Sequence, residues 1–243
     1  MCVIAVSKKG IRQPSEQQLR DMFRNNPDGA GYMYARNGKV YIHKGFMQED
    51  DFINAVKSEK FTKDDPVVYH CRISTQAGVN PAMTHPFPLT EDRKYCEALD
   101  VVCQTGIAHN GVIYMTSSFK ETRYSDTVIF ITDYLTRLIR YNTDIKDVYI
   151  QDMIEELTNS KFAILDGTTG DIVTIGKFVN CNSLLFSNNT YKPVVKTVKT
   201  ITDYKYAGGY YDLPWEKAGY SYDYWKDDYS GWTTDYSVGK EAK

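Results

Sequence analysis

Cys2 directly follows Met1. Removing Met1 leaves a thiol and an α-amine on one residue. That amine has an ordinary pKa of about 7.7–8.0, so it can take a proton near neutrality. Thiol and amine then form a nucleophile–base pair. The plain alternative is a small hydrophobe at the start of a strand. Arg72 lies in His70-Cys71-Arg72-Ile73-Ser74-Thr75, where a guanidinium at a strand end offers a planar fork to a carboxylate. A surface ion pair is the alternative. Ala108-His109-Asn110-Gly111-Val112 interrupts an apolar run. An Asn side-chain NH2 beside a glycine N–H is the donor set of an oxyanion hole. The same Asn-Gly dipeptide also reads as a hairpin turn. Ser125-Asp126-Thr127 precedes a long helical pattern. It reads as a helix cap whose carboxylate sits at the positive end of the dipole, or as a partner for a substrate ammonium.

The five cysteines are Cys2, Cys71, Cys96, Cys103 and Cys181, an odd number without a C-x-x-C pair. That predicts reduced thiols and a cytoplasmic setting. His70, Cys71, His85, Cys96, Cys103 and His109 do not follow zinc-ligand spacing. Neither a metal nor another cofactor is expected.

The elements that must position these groups are legible in outline. CVIAV (2–6) predicts a buried strand. Pro14-Ser15 opens a helix with Leu19, Met22 and Phe23 on one face. Gly31–Ala35 and Lys39–His43 flank Asn37-Gly38, a hairpin signal. Phe52–Val56 reads as helix and Pro66–Ile73 as strand. Val101–Ala108 and Val112–Met115 read as strands. Ser125 caps a helix to about Arg140, and a second helix covers Tyr149–Leu157. Phe162–Leu165 and Ile172–Ile175 flank a turn, and Leu184–Ser187 is one more strand. Strands arranged in hairpins, with helices inserted as blocks, favour antiparallel sheets covered by helices.

Composition sets the outer limits. The 243 residues carry a net charge of −2, which gives no bulk attraction to nucleic acid. No apolar run is long enough to span a membrane. Residues 203–236 hold nine Tyr and three Trp, with seven acidic and three basic residues. Leu213 is their single Leu, Ile or Val. This predicts a body, 1–202, followed by an acidic, Tyr/Trp-rich low-complexity tail, 203–243. The tail reads either as a docking segment or as a strip lying against its own domain. Its charge opposes phosphate binding.

In order and spacing, the chemistry-bearing segments resemble the class II glutamine amidotransferase domain, an N-terminal-nucleophile (Ntn) hydrolase. The resemblance rests on Cys2, Asp28-Gly29-Ala30-Gly31, His70-Cys71-Arg72-Ile73-Ser74-Thr75, His109-Asn110-Gly111 and Ser125-Asp126-Thr127. Phe162–Leu165 stands where a late core strand is expected. Thr84-His85-Pro86-Phe87 is similar to small stand-alone members, many from bacteriophages. The similarity covers about residues 2–190.

The resemblance implies an α+β fold, a four-layer αββα sandwich, followed here by the aromatic-rich tail. It implies glutamine as substrate and Cys2 as nucleophile. Asn110 and Gly111 would form the oxyanion hole. Arg72 with Thr75 would hold the α-carboxylate, Asp126 the α-ammonium, and His109 would stand in the substrate site. Two departures stand out. Val3 replaces a glycine common after the cysteine, and no synthase domain follows. A separate synthase, or a partner held through 203–236, would then receive the ammonia. The expected location is the cytoplasm, or a host's cytoplasm for a phage-encoded chain. Two other functions stay open: an Ntn-type hydrolase of another amide or γ-glutamyl compound, and a non-catalytic binding protein of this fold acting through its tail.

Overall fold

The computed structural model describes residues 2–74, 77–114, 123–140 and 144–193. Thr75 and the segment 203–236 lie outside the described residues.

Two antiparallel sheets carry the strands. The larger has the order β10-β11-β1-β4-β2-β3-β6. It is built from β1 (Val3–Ser7), β2 (Ala30–Arg36), β3 (Lys39–Phe46), β4 (Val67–Cys71), β6 (Asp100–Cys103), β10 (Val179–Cys181) and β11 (Leu184–Phe186). The smaller has the order β5-β7-β8-β9. Its strands are β5 (Phe87–Pro88), β7 (Thr105–Asn110), β8 (Lys161–Asp166) and β9 (Ile172–Ile175).

Side-chain alternation, with both faces covered, explains why β1 and β4 are apolar except at Ser7 and His70. Every residue of both strands is buried. Val3 and Ala5 join Val67, Tyr69 and Cys71 in a cluster with Leu19, Met22, Phe52 and Ile53. The last four belong to α1 (Glu16–Asn25) and α2 (Glu49–Ser58). Ile4, Val6 and Val68 face the other way and join Ala108, Ala163 and Leu165 of the smaller sheet. A third cluster joins Ile107, Phe162 and Ile164 to Val128, Ile131, Leu135 and Ile154. These come from α3 (Asp126–Phe130), the π turn that follows it, and α5 (Val148–Thr158).

The helices begin where their caps are. Ser15 accepts from Gln18 N, and the Gln18 side chain accepts from Ser15 N, a complete capping box. Ser125 Oγ accepts from Val128 N at 3.3 Å. The helical pattern to Arg140 is continuous in sequence but not uniform in geometry. Ile131–Leu135 is a π turn between α3 and α4 (Thr136–Arg140). Thr136 Oγ1 donates to Ile131 O at 2.8 Å, so this side chain supports a carbonyl in the widened turn.

Three local expectations are corrected. Val101–Ala108 is not one strand: β6 lies in the larger sheet and β7 in the smaller, and the exposed Gln104 marks the crossing. Val112–Met115 does not continue as strand, because Ile113 N donates to the Asp126 carboxylate rather than to a ladder; Met115 lies outside the described residues. Asn110-Gly111 is not a hairpin turn. Asn110 is the last residue of β7 and pairs with Lys161 of β8. The short edge strand β10 carried no clear signal in the sequence.

Candidate active site

Cys2 stands immediately before β1 and is partly buried. Its Sγ lies 3.4 Å from both the N and the O of Ile73. Burial pushes the thiol above its ordinary pKa, against the pull of the Ile73 N–H. The thiolate is therefore scarce at neutral pH, and attack by Sγ needs a base. The Cys2 carbonyl accepts from Asn188 Nδ2 at 2.7 Å, which pins the residue at the start of β1.

The loop after β4 brings Arg72 beside it. Arg72 is 3% exposed. Its Nη1 donates to Gly78 O at 2.8 Å, and burial lowers its pKa while Cys2, Asp28 and Asp126 raise it. Asp28-Gly29-Ala30-Gly31 holds this loop from the other side. Asp28 N donates to Arg72 O and Arg72 N to Gly29 O, at 2.9 and 2.8 Å. The Asp28 carboxylate accepts from Ser74 N at 2.8 Å. A side chain at Gly31 would overlap the His85 carbonyl, so glycine there admits the His85 segment.

The end of β7 and the start of α3 supply the opposite wall. Gly111 has φ +155°, and a Cβ there would overlap the Ser160 side chain. Glycine is thus required for the backbone to pass. Asp126 is buried; its Oδ2 accepts from Ile113 N at 2.7 Å and its Oδ1 from Thr127 N at 2.8 Å. Burial raises its pKa, against those N–H groups and Arg72.

Cys2, Arg72, Ile73, His85, His109, Gly111, Ser125, Asp126 and Thr127 line one small cavity. Five residues singled out in the sequence thus border it: Cys2, Arg72, His109, Gly111 and Asp126. Asn110 adjoins Gly111 but does not border the cavity as described. Its Nδ2 donates to Ser187 Oγ at 2.8 Å, and its Oδ1 is buried without a partner. Thr75 lies outside the described residues.

Two of the lining residues, His85 and His109, pack with His70, which does not border the cavity. The rings of His70 and His85 stack at 4.3 Å. His70 Nε2 donates to His109 O at 2.9 Å. Thr127 Oγ1 lies 3.1 Å from His85 Nε2 and 2.7 Å from His109 Nδ1. That hydroxyl donates to Asp126 Oδ1, 3.4 Å away, and accepts from both rings. Each ring keeps one buried nitrogen without a partner among the described residues: His70 Nδ1, His85 Nδ1 and His109 Nε2. A second proton on any ring would leave an unsatisfied N–H, and burial holds all three neutral. His70 and His109 fall to about 3, and His85 falls well below its ordinary value.

A measurable pH dependence follows. The native pKa values lie below the unfolded value of 6.5. The stabilisation is therefore full above pH 6.5 and is lost as pH falls from there toward 3. Between pH 7 and pH 5 His70 and His109 are each expected to withdraw about 2 kcal/mol, and His85 acts in the same direction. The carboxylates held low by cations, such as Glu49 and Asp171, act below that window. Urea unfolding should show a steep fall in midpoint from pH 7 to pH 5. A flat profile would contradict neutral burial of the three rings.

The sequence did not single out Ser187, Asn188 or Lys44. Lys44 is buried. Its Nζ donates to Ala82 O and Cys96 O at 2.7 and 2.6 Å and lies 3.9 Å above the centre of the Phe87 ring. Burial pulls its pKa to about 7. Among the described residues no cluster of three His, Cys, Asp or Glu side chains is placed to hold a metal. The five cysteines are unpaired, and no described helix is long and apolar enough to cross a membrane.

No protein family matches the chain, and no curated protein matches it. Among solved structures, it is similar to the glutamine phosphoribosylpyrophosphate (PRPP) amidotransferase from B. subtilis complexed with ADP and GMP, at 14% identity and a TM-score of 0.45. The match covers 76% of this chain and 41% of that one, so the chain spans well under half of that protein's length.

Proposed function

We propose that this chain hydrolyses the side-chain amide of glutamine to glutamate and ammonia, with Cys2 as nucleophile. The observation that carries the reading is the shared cavity. It gathers a thiol, a buried guanidinium, a buried carboxylate and a glycine N–H from four separate segments. The thiol attacks an amide carbon, the N–H receives the oxyanion, and the two charges match the carboxylate and ammonium of a free amino acid.

Sγ bonds to the amide carbon, and the carbonyl electron pair moves onto oxygen. The α-amine of Cys2, free once Met1 is removed, takes the thiol proton and delivers it to the departing nitrogen. Ammonia leaves, and a γ-glutamyl thioester remains. Water, deprotonated by the same amine, then cleaves the thioester to glutamate and restores the thiol. Gly111 N–H and the Asn110 amide stabilise the oxyanion in both halves. Arg72, with Thr75, holds the α-carboxylate, and Asp126 the α-ammonium. His109 closes the wall behind them. Two fixed charges orient the reacting amide, which is the entropic part of the rate gain.

The three apolar clusters support the αββα layering. One joins the larger sheet to α1 and α2, one joins the two sheets, and one joins the smaller sheet to its helices. In this reading the ammonia acceptor is a separate synthase, and the aromatic segment 203–236 is the docking element for it.

Glutamate release from glutamine by protein trimmed to Cys2 tests the proposal. Glutaramate, which keeps the amide and carboxylate but lacks the ammonium, should show kcat/KM lower by about 10²-fold or more, since the charge interaction of the ammonium with the buried Asp126 is lost. Equal or faster turnover of glutaramate would point to an Ntn-type hydrolase of another amide.

A further inference from the structure

Ser187 follows β11 directly and is fully buried. Its N–H donates to Ile4 O at 2.9 Å, and its Oγ accepts from Ile4 N at 2.9 Å. The residue is thus fixed to β1, two positions from Cys2. Its Oγ also lies 2.8 Å from Asn110 Nδ2, at the end of β7 in the other sheet.

The proton count at this junction is uneven. A hydroxyl has one donor and two acceptor positions. Here Oγ accepts twice, and its proton meets no described acceptor. At the other end of the amide, Asn110 Oδ1 is buried without a donor among the described residues. A half-turn of the Asn110 amide pairs these two groups with each other and leaves the Nδ2 N–H groups without a described acceptor. Oδ1 then receives the Ser187 proton, and Oγ still accepts from Ile4 N. Nδ2 takes the place of the orphaned oxygen, with its N–H groups released from Ser187. A side-chain N–H without a protein acceptor, next to Gly111, is what a developing oxyanion requires.

We propose that Ser187 is a positioning residue. Its hydroxyl donates to Asn110 Oδ1 and so selects the amide orientation in which Nδ2 serves the oxyanion. The inference rests on the amide-hydrolysis reading above. Ser187 touches no reacting atom and acts through Asn110 alone.

Neutron diffraction of the deuterated full chain locates the protons without reference to activity. The expected result is one deuteron on Ser187 Oγ directed at Asn110 Oδ1. Amide deuterons directed at Ser187 Oγ would overturn the proposal. Kinetics with glutamine supply the second readout. Ser187→Ala should lower kcat about 10- to 100-fold, less than the ~10²–10³ typical of deleting a donor. Its KM should stay within about twofold, as for an interaction made only in the transition state. Ser187→Thr keeps the hydroxyl and should recover most of the loss. Ser187→Ala combined with Asn110→Ala should be no slower than Asn110→Ala alone. An unchanged kcat in Ser187→Ala, or multiplying losses in the double variant, would overturn it. Should the trimmed wild type release no more glutamate than Cys2→Ala, the hydrolysis reading fails, and the neutron result still decides the amide orientation.

Discussion

Cys2→Ala is expected to lower glutamine hydrolysis by about 10⁴-fold or more, to the level of buffer, as removal of a covalent nucleophile does elsewhere. The residue lines one cavity together with Arg72, Asp126 and Gly111. Its thiol is held in the protonated form by burial, so the reaction depends on a base that removes the proton during attack. The α-amine of the same residue has both the reach and the pKa for that role. Protein whose intact mass still includes Met1 should be as inactive as Cys2→Ala, because the amine then belongs to another residue. A structural role predicts a different pattern. Cys2 is partly exposed, so loss of its sulfur should change stability by no more than about 1 kcal/mol. A variant that melts normally but has lost all turnover separates the two. Undiminished turnover in Cys2→Ala would refute the nucleophile.

The second large effect is expected at Arg72. Arg72→Leu should lower kcat/KM for glutamine by about 10²–10³-fold, mostly through KM, because a buried charge pair loses one member. Arg72→Lys keeps the charge but not the bidentate fork and should recover only part of the loss. The side chain is positioned by bonds that do not involve substrate. Its backbone is clamped by Asp28 and Gly29, and Nη1 by Gly78 O. Selectivity should change in step with affinity. An amide substrate without an α-carboxylate, poorly accepted by the wild type, should lose little further in Arg72→Leu. If Arg72→Leu keeps wild-type KM for glutamine, the guanidinium does not bind the carboxylate.

The contrast between β1 and Ser187 shows how far the sequence reaches. β1 is legible because both of its faces are buried, so the strand is apolar from Val3 to Val6. The hairpins at Asn37-Gly38 and Asp166–Gly170 are legible because their turns impose backbone conformations that few residues accept. Asp28-Gly29-Ala30-Gly31 is visible as a pattern, but its task, bracing the Arg72 loop through Ser74 N, appears only in three dimensions. Val101–Ala108 misleads because one apolar run serves two sheets, and hydrophobicity does not record the change of partner. Asn110-Gly111 misleads because the same dipeptide suits a turn and a strand end equally. Ser187 carries no local signal. Its partner Asn110 is 77 positions away, and a serine after a short strand is unremarkable until its protons are counted. The buried histidines are likewise recognisable as residues and not as a neutral stack. Their state is set by Thr127 and the packing around them.

In the proposed mechanism Cys2 attacks the side-chain carbonyl of glutamine. Acid quenching of the trimmed protein during turnover, followed by mass spectrometry of its N-terminal peptide, tests this step. A γ-glutamyl thioester on Cys2 should appear with glutamine, be lost on hydroxylamine treatment, and be absent from Cys2→Ala. Glutamate formed at full rate without any adduct on Cys2, or an adduct on another cysteine, would contradict it.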